Sequence, residues 1–211
     1  MNILYPVFLK LENRPAVVVG GGGIALQKIR ALLESKASIT VISPELCEGV
    51  EALERENKIR VEKRPYASGD LEGFFIVICA TDNRELNSRV RDEAREKRVL
   101  CNVVDDPELC DFYVPSIHTI GDLKLAISSN AKGPAISRKL RKDLGELYGP
   151  IVAEALEIMN GARQNMKRDI PDYKERGRIL SEILGEQPLY EMEKEGDAAL
   201  QRLREALKQW I

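Results

Sequence analysis

Short apolar segments alternate with amphipathic segments along the first hundred residues of the chain. The apolar segments predict strands, and the segments between them predict helices with one apolar face. Strands are predicted at residues 16–19, 38–42, 58–62, 74–80 and 99–104, and helices at 24–35, 45–56 and 84–97. The segment 74–80 is apolar without interruption, which is typical of a parallel strand covered on both faces. The alternation predicts an α/β fold with a doubly wound parallel sheet.

The pattern changes after residue 105. Short strand-like segments follow at 112–114, 116–120 and 123–128, separated by Pro115 and by a Gly-Asp turn. They predict a small antiparallel or mixed sheet outside the main one.

The remainder of the chain is predicted to be helical. One helix begins at Gly133-Pro134 and carries its apolar residues on one face, at Ile136, Leu140 and Leu144. Helices are predicted from residue 148 to the end, with breaks near 161, 169–171 and 185–188. The stretch 191–211 is highly charged and is expected to form a loosely packed terminal helix.

The strongest local motif is G-x-G-x-x-A at the end of the first predicted strand, formed by Gly20, Gly22 and Ala25. A glycine at the first position allows a tight turn, and one at the second lets the backbone approach a pyrophosphate. The following helix presents free N–H groups to an anion. The candidate cofactor-binding residues of this turn are Gly20, Gly22, Gly23 and Ile24. A plain glycine-rich turn is the alternative, but four consecutive glycines are costly where no ligand must be admitted. The motif predicts a Rossmann-type dinucleotide-binding unit.

The end of the second predicted strand departs from the usual pattern. An acidic residue there normally binds the ribose hydroxyls, whereas this chain continues with Ser43-Pro44-Glu45. Ser43 and Glu45 are the candidates for that role, and Pro44 between them is also a candidate cofactor-binding residue. No arginine at this corner would bind a 2′-phosphate, which mildly favours NAD over NADP.

Polar residues also follow the predicted strand 74–80. Thr81 and Asp82 lie where parallel strands end and ligands bind, so both are candidates for the cofactor crevice. An alternative is that residues 81–83 cap the next helix, and the two roles are compatible.

Bulk composition narrows the function classes. Formal net charge is −2, from 32 basic and 34 acidic residues, which gives no overall attraction to nucleic acid or to an anionic membrane. The four cysteines are scattered without a CxxC pair, and His118 is the sole histidine, so no structural metal site is predicted. No secretory signal or bilayer-spanning stretch is recognised, and a cytoplasmic location is expected.

Several further segments together resemble the precorrin-2 dehydrogenase/sirohydrochlorin ferrochelatase family, which includes the N-terminal part of siroheme synthases. They occur in the family order from residue 5 to about 145. Besides the glycine turn, they are Tyr5-Pro6-Val7-Phe8-Leu9, Ala80-Thr81-Asp82, Cys101-Asn102-Val103-Val104-Asp105, Phe112 with Pro115-Ser116, and Leu125-Ala126-Ile127-Ser128-Ser129 with Pro134. The segment ending at Asp105 and the Ser-Ser turn are far more specific than the glycine motif.

The resemblance implies NAD-dependent oxidation of precorrin-2 to sirohydrochlorin, and in some members insertion of ferrous iron to give sirohaem. It implies that Asp105 is catalytic, that Asn102 lies at the cofactor and that Ser129 lies near the tetrapyrrole. It also implies a homodimer. The expected division is a NAD-binding domain at 1–114, a dimerisation and substrate-site region at 115–146, and a helical domain at 147–211.

The residues themselves fit this chemistry. A carboxylate at Asp105, just past an apolar strand, could accept a proton as hydride passes to NAD⁺. The alternative is an ordinary turn aspartate in Asp-Asp-Pro. The tetrapyrrole carries many carboxylates, so its site should be cationic. The candidate substrate-binding residues are Ser128, Ser129, Lys132 and Arg138, among further basic residues at Lys139, Arg141 and Lys142.

Alternatives to these assignments remain. The basic residues could instead be a solvated helix face, and His118 is expected to be structural. A non-catalytic NAD-binding regulatory module and a stand-alone chelatase are the competing functions. The former needs neither an aspartate at position 105 nor a basic turn, and the intact glycine turn argues against the latter.

Overall fold

The computed structural model describes residues 4–130 and 132–211 of the chain. The chain is divided into two compact units, the first ending at Val114 and the second spanning Pro115–Ile211. The division of the second unit near residue 146 stays a prediction.

A parallel sheet forms the centre of the first unit. Its elements are, in chain order, β1 (Pro15–Val19), α1 (Gly23–Glu34), β2 (Ser38–Ile42), α2 (Glu48–Arg55), β3 (Arg60–Glu62), β4 (Ile76–Cys79), α3 (Arg84–Lys97), β5 (Leu100–Val103) and a 3₁₀ turn at Pro107–Leu109. The strand order is β3-β2-β1-β4-β5, and every pairing within the described sheet is parallel. The predicted Rossmann-like doubly wound sheet is therefore confirmed.

Strand β1 explains why these strands are apolar on both faces. Ala16 and Val18 pack with Ala25 and Ile29 of α1, whereas Val17 and Val19 pack into a second cluster on the opposite face. Each face of the sheet therefore has its own hydrophobic layer, and the carboxyl ends of the strands are left to form the site.

The second unit begins with an antiparallel hairpin of β6 (Ser116–Ile120) and β7 (Leu123–Ile127). Helices follow as α4 (Pro134–Leu147), α5 (Pro150–Asp169), α6 (Tyr173–Leu184), α7 (Leu189–Glu195) and α8 (Asp197–Leu207). Helices α5, α6 and α8 share a core that includes Ala162, Met166, Leu180 and Leu200. No helix among the described residues combines the length and the apolar character needed to cross a bilayer.

Three local predictions are wrong. Residues 112–114 form no strand, and the Phe112 carbonyl accepts from the side-chain amide of Asn102 rather than from a backbone N–H of β5. Helix α5 continues through Gly161 without a break, since the next residue, Ala162, is buried in the shared core. The tail 191–211 is not loosely packed: it contains parts of two helices, and Leu200, Leu203 and Leu207 are buried.

Candidate functional site

The glycine turn is locked between the ends of three strands. Gly20 has φ of +115°, and a Cβ there would lie 2.4 Å from the carbonyl oxygen of Ala80. A Cβ on Gly21 would lie 2.2 Å from the carbonyl oxygen of Glu45, and the Cys47 N–H donates to the Gly21 carbonyl at 2.8 Å. The first two glycines are therefore required by the fold itself.

The next two glycines face open space. A Cβ on Gly22 or Gly23 would meet nothing within 4 Å. Helix α1 begins at Gly23 without a side-chain cap, and its first turn closes with the Leu26 N–H donating to the Gly22 carbonyl. The N–H groups ahead of Leu26 thus have no partner within the helix and can bind an anion. A side chain is absent where a pyrophosphate would approach, so the turn fits a dinucleotide.

A cleft of about 310 Å³ opens beside this turn at the carboxyl ends of β1, β2 and β4. Its lining residues are Val19, Gly20, Ile42, Ser43, Pro44, Pro65, Tyr66, Thr81, Asn83, Glu85, Leu86 and Arg89. The structure thus brings together four predicted cofactor residues, Gly20, Ser43, Pro44 and Thr81. Glu45 and Asp82 are exposed and do not line the cleft.

Ser43 is buried at the end of β2. Its hydroxyl donates to the Glu45 carbonyl at 2.7 Å, which shapes the loop that contacts Gly21. The lone pairs of the Ser43 oxygen remain to accept a hydrogen bond. The ribose-binding role of Ser43 or Glu45 stays a prediction.

The corner between β4 and α3 both lines the cleft and caps the next helix, the two roles that the sequence allows. Asn83 caps α3, since its Oδ1 accepts from the Leu86 N–H at 2.9 Å. The Thr81 hydroxyl donates to Oδ1 of Asn87 at 2.7 Å, and Nδ2 of Asn87 donates back to the Thr81 carbonyl at 3.0 Å. Buried Asn87 therefore orients Thr81 at the cleft. No local sequence motif predicts this contact.

Tyr66, which the sequence did not single out, also lines the cleft. Its hydroxyl donates to Glu93 of α3 at 2.7 Å, and the Glu93 carboxylate also accepts the N–H groups of Gly69 and Leu71. Burial, together with the hydrogen bond to Glu93, raises the pKa of Tyr66. The phenol therefore stays protonated, and the buried carboxylate fixes the wall formed by Pro65 and Tyr66.

Arg89 corrects one argument made from the sequence. The segment directly after β2, Ser43-Pro44-Glu45, contains no arginine, but α3 brings Arg89 to the same cleft as Ser43 and Pro44. A preference for NAD over NADP therefore does not follow from the absence of arginine. Spacing along the chain could not reveal this residue, because its position depends on how α3 packs on the sheet.

Asp105 lies in the turn directly after β5. It is exposed and has φ of +61°, a left-handed conformation that aspartate and asparagine tolerate better than most residues. Asn102 is instead buried within β5, and its Nδ2 donates to the Phe112 carbonyl at 2.9 Å. The cofactor role of Asn102 and the catalytic role of Asp105 stay predictions.

The predicted substrate-binding residues belong to the second unit. The Ser128 hydroxyl accepts from the Asn130 N–H, and the Ser129 hydroxyl accepts from the Gly133 N–H at 3.1 Å. These contacts shape the turn before α4. Lys132 and Arg138 are exposed, and Arg138 forms no ion pair with any residue that the structure describes. Lys139 and Lys142 instead pair with acids on their own helix.

His118 contacts the residue that follows α4, and its structural role stays a prediction. Its Nε2 lies 3.3 Å from the Tyr148 carbonyl, and a Cβ on Gly145 would lie 3.0 Å from its ring. Across residues 4–130 and 132–211, no group of three or more His, Cys, Asp or Glu residues could hold a metal ion.

The parallel sheet and the open glycine turn define a Rossmann-type dinucleotide-binding protein. The chain belongs to the putative NAD(P)-binding family, whose model matches residues 7–116. The predicted NAD cofactor is confirmed at the level of this NAD(P) description.

Curated relatives and a solved structure extend the similarity. A siroheme synthase of Thioalkalivibrio sulfidiphilus is 34% identical over 206 residues, covering 97% of this chain and 42% of the relative. A siroheme synthase of Methylobacillus flagellatus is 37% identical, covering 94% of this chain and 43% of the relative. A solved structure described as SirC, precorrin-2 dehydrogenase, is 26% identical with a TM-score of 0.79, covering 98% of each chain. The chain spans about two fifths of the siroheme synthases' length. These similarities confirm the family resemblance.

Proposed function

We propose that the chain oxidises precorrin-2 to sirohydrochlorin with NAD⁺, as a step of sirohaem biosynthesis. The observation that carries this proposal is the similarity to a precorrin-2 dehydrogenase over 98% of both chains, which includes the second unit. A shared nucleotide-binding unit alone would support only cofactor binding. The open glycine turn and the adjoining cleft support use of the cofactor.

Asp105 is the proposed catalytic residue. Bound NAD⁺ supplies the hydride acceptor, so the remaining proton of the oxidised substrate needs a base. The carboxylate of Asp105 is exposed at the end of a strand where ligands of such sheets bind, and it accepts that proton.

Substrate binding is assigned to the turn before α4 and to the start of that helix. Ser128 and Ser129 provide hydroxyl groups, and Lys132 and Arg138 provide exposed positive charge. Arginine binds a carboxylate through two parallel hydrogen bonds, which suits the acetate and propionate groups of the tetrapyrrole.

A direct experiment supplies purified protein with precorrin-2 and NAD⁺. We expect NADH to form together with sirohydrochlorin. Fluorescence and absorbance measure the two products. Binding of NAD⁺ without NADH formation would reject the dehydrogenase and favour the regulatory module.

Iron insertion is a second candidate activity, favoured by the relatives that are named siroheme synthase. Ferrous iron is then a substrate, with the tetrapyrrole nitrogens as its ligands. The same reaction supplemented with ferrous iron tests this activity. Sirohydrochlorin that accumulates without conversion to sirohaem would leave only the dehydrogenase.

The proposed protein is a cytoplasmic homodimer that uses residues 115–146 as its interface. Ile136 and Leu140 are exposed and lie along one face of α4, and Ile117 is exposed on β6. A monomer that leaves this apolar face in water gains stability when a second copy covers it.

The substitution Leu140→Glu is expected to weaken the dimer by about 100-fold, because a charge would be buried in its apolar interface. Sedimentation velocity measures the change. Leu156→Glu is the matched control, since Leu156 is also exposed but lies on α5, outside the proposed interface. A dimer that survives Leu140→Glu unchanged would contradict this assignment.

A further inference from the structure

Strand β5 is an edge strand, and residues 110–112 run along its open side. The N–H groups of Leu100 and Val104 donate to carbonyls of Phe75 and Cys79, on the side of β4. Successive N–H groups of a strand point to opposite sides, so those of Cys101 and Val103 point away from the sheet.

Side chains satisfy these outward groups in place of a neighbouring strand. The Cys101 N–H donates to Oδ2 of Asp111 at 3.0 Å, and the Asp111 N–H donates back to the Cys101 carbonyl at 2.8 Å. The Val103 N–H donates to the sulfur of Cys110 at 3.2 Å. Residues 104–109 therefore form a loop with both ends attached to β5, and Asp105 lies within it.

The Cys110 thiol also reaches into this loop. Its sulfur lies 3.2 Å from the Val103 carbonyl oxygen and 3.3 Å from that of Asp106. Burial raises the pKa of the Cys110 thiol, so it keeps its hydrogen at neutral pH and can donate to one of these carbonyls.

Arg91 of α3 pairs with Asp111, two residues beyond this loop. Its Nη2 lies 2.9 Å from Oδ1 of Asp111, and its Nη1 donates to Oδ2 at 3.0 Å. The Arg91 side chain is only 19% exposed, and its neighbours on the helix, Val90 and Ala94, are fully buried. A two-point pair in a partly desolvated position has a defined geometry, unlike most surface ion pairs.

We propose that Arg91, acting through Asp111, is a positioning residue that holds the Asp105 turn in its active conformation; this rests on the proposed catalytic role of Asp105. A left-handed backbone conformation is uncommon for residues other than glycine, even for aspartate, so the contacts around Asp105 must maintain it. Loss of the Arg91–Asp111 pair loosens Asp111, which fastens the end of the loop to β5, and the carboxylate of Asp105 loses its fixed position.

The test compares Arg91→Met with Lys97→Met. Both variants remove an ion pair of α3, but Lys97 pairs with Glu72, far along the chain from the Asp105 loop. For Arg91→Met we expect kcat to fall roughly 10- to 100-fold, because a misplaced catalytic group is costly. The KM and dissociation constant for NAD⁺ should stay unchanged, and amide hydrogen exchange should accelerate across residues 103–110. Lys97→Met should match the wild type in both respects.

Two further variants separate positioning from general destabilisation. Asp111→Asn keeps an oxygen for the Cys101 N–H but loses the ion pair, and it should reproduce the effect if Arg91→Met folds poorly. Arg91→Lys keeps the charge without the fork and should recover part of kcat.

The proposal fails if Arg91→Met keeps the wild-type kcat, whether or not amide exchange accelerates. It also fails if KM for NAD⁺ rises as much as kcat falls. A wild-type protein that produces no NADH from precorrin-2 would reject the proposed function instead. The exchange measurement would then still decide whether Arg91 holds the loop.

Discussion

Replacing Asp105 with asparagine is expected to lower the kcat for precorrin-2 oxidation by roughly 10²- to 10⁴-fold, the usual contribution of a general base. Asparagine tolerates the positive φ of this position and keeps the side-chain shape, so the turn should be preserved. Only the proton acceptor is lost. The dissociation constant for NAD⁺ should not change, because the glycine turn and the cleft are untouched.

The adjacent aspartate provides the control for this substitution. Asp106 has the same charge, but its carboxylate is partly buried and lies 3.8 Å from Arg84. Asp106→Asn should therefore reduce kcat far less than Asp105→Asn. Stopped-flow measurement of NADH formation compares the two variants, and equal losses would mean that local negative charge, rather than a base at position 105, supports the reaction.

The sequence predicted well those elements whose signals are local. Strand β2 alternates apolar and polar residues and ends at Ile42, two residues before Pro44, and helix α3 begins after the capping residue Asn83. Both have the predicted bounds. Helix α2 begins three residues later than predicted, at Glu48, because residues 45–47 form the loop that contacts Gly21.

Parts of the candidate site depend instead on contacts between distant residues. Tyr66 is held by Glu93, and the sequence contains no pattern that joins them. Residues 112–114 are apolar enough to predict a strand, yet β5 is bonded by the side chains of Cys110 and Asp111. An apolar pattern reports burial, but it does not say whether backbone or side-chain groups satisfy a strand edge.

The structure distinguishes the roles of two glycines that the motif treats alike. Gly20 and Gly22 both match the G-x-G pattern, but a Cβ on Gly20 would collide with the Ala80 carbonyl and one on Gly22 would not. The first glycine is thus needed for folding, whereas the second is needed only if a ligand approaches the turn. The two substitutions should therefore fail in different assays.

Gly22→Val is expected to weaken NAD⁺ binding by about 100-fold or more, because the added side chain would occupy the path of the pyrophosphate. Gly22 has φ of −83°, which any residue adopts, so the free energy of unfolding should fall by no more than about 1 kcal/mol. Isothermal titration calorimetry and urea unfolding measure the two quantities.

Gly20→Ala should show the opposite behaviour. Its positive φ and the contact with Ala80 should reduce the free energy of unfolding by roughly 2 to 6 kcal/mol. Any loss of NAD⁺ binding in this variant would follow its loss of folded protein. If Gly22→Val instead binds NAD⁺ like the wild type, the pyrophosphate does not approach the backbone here, and the open space beside Gly22 is not part of the cofactor site.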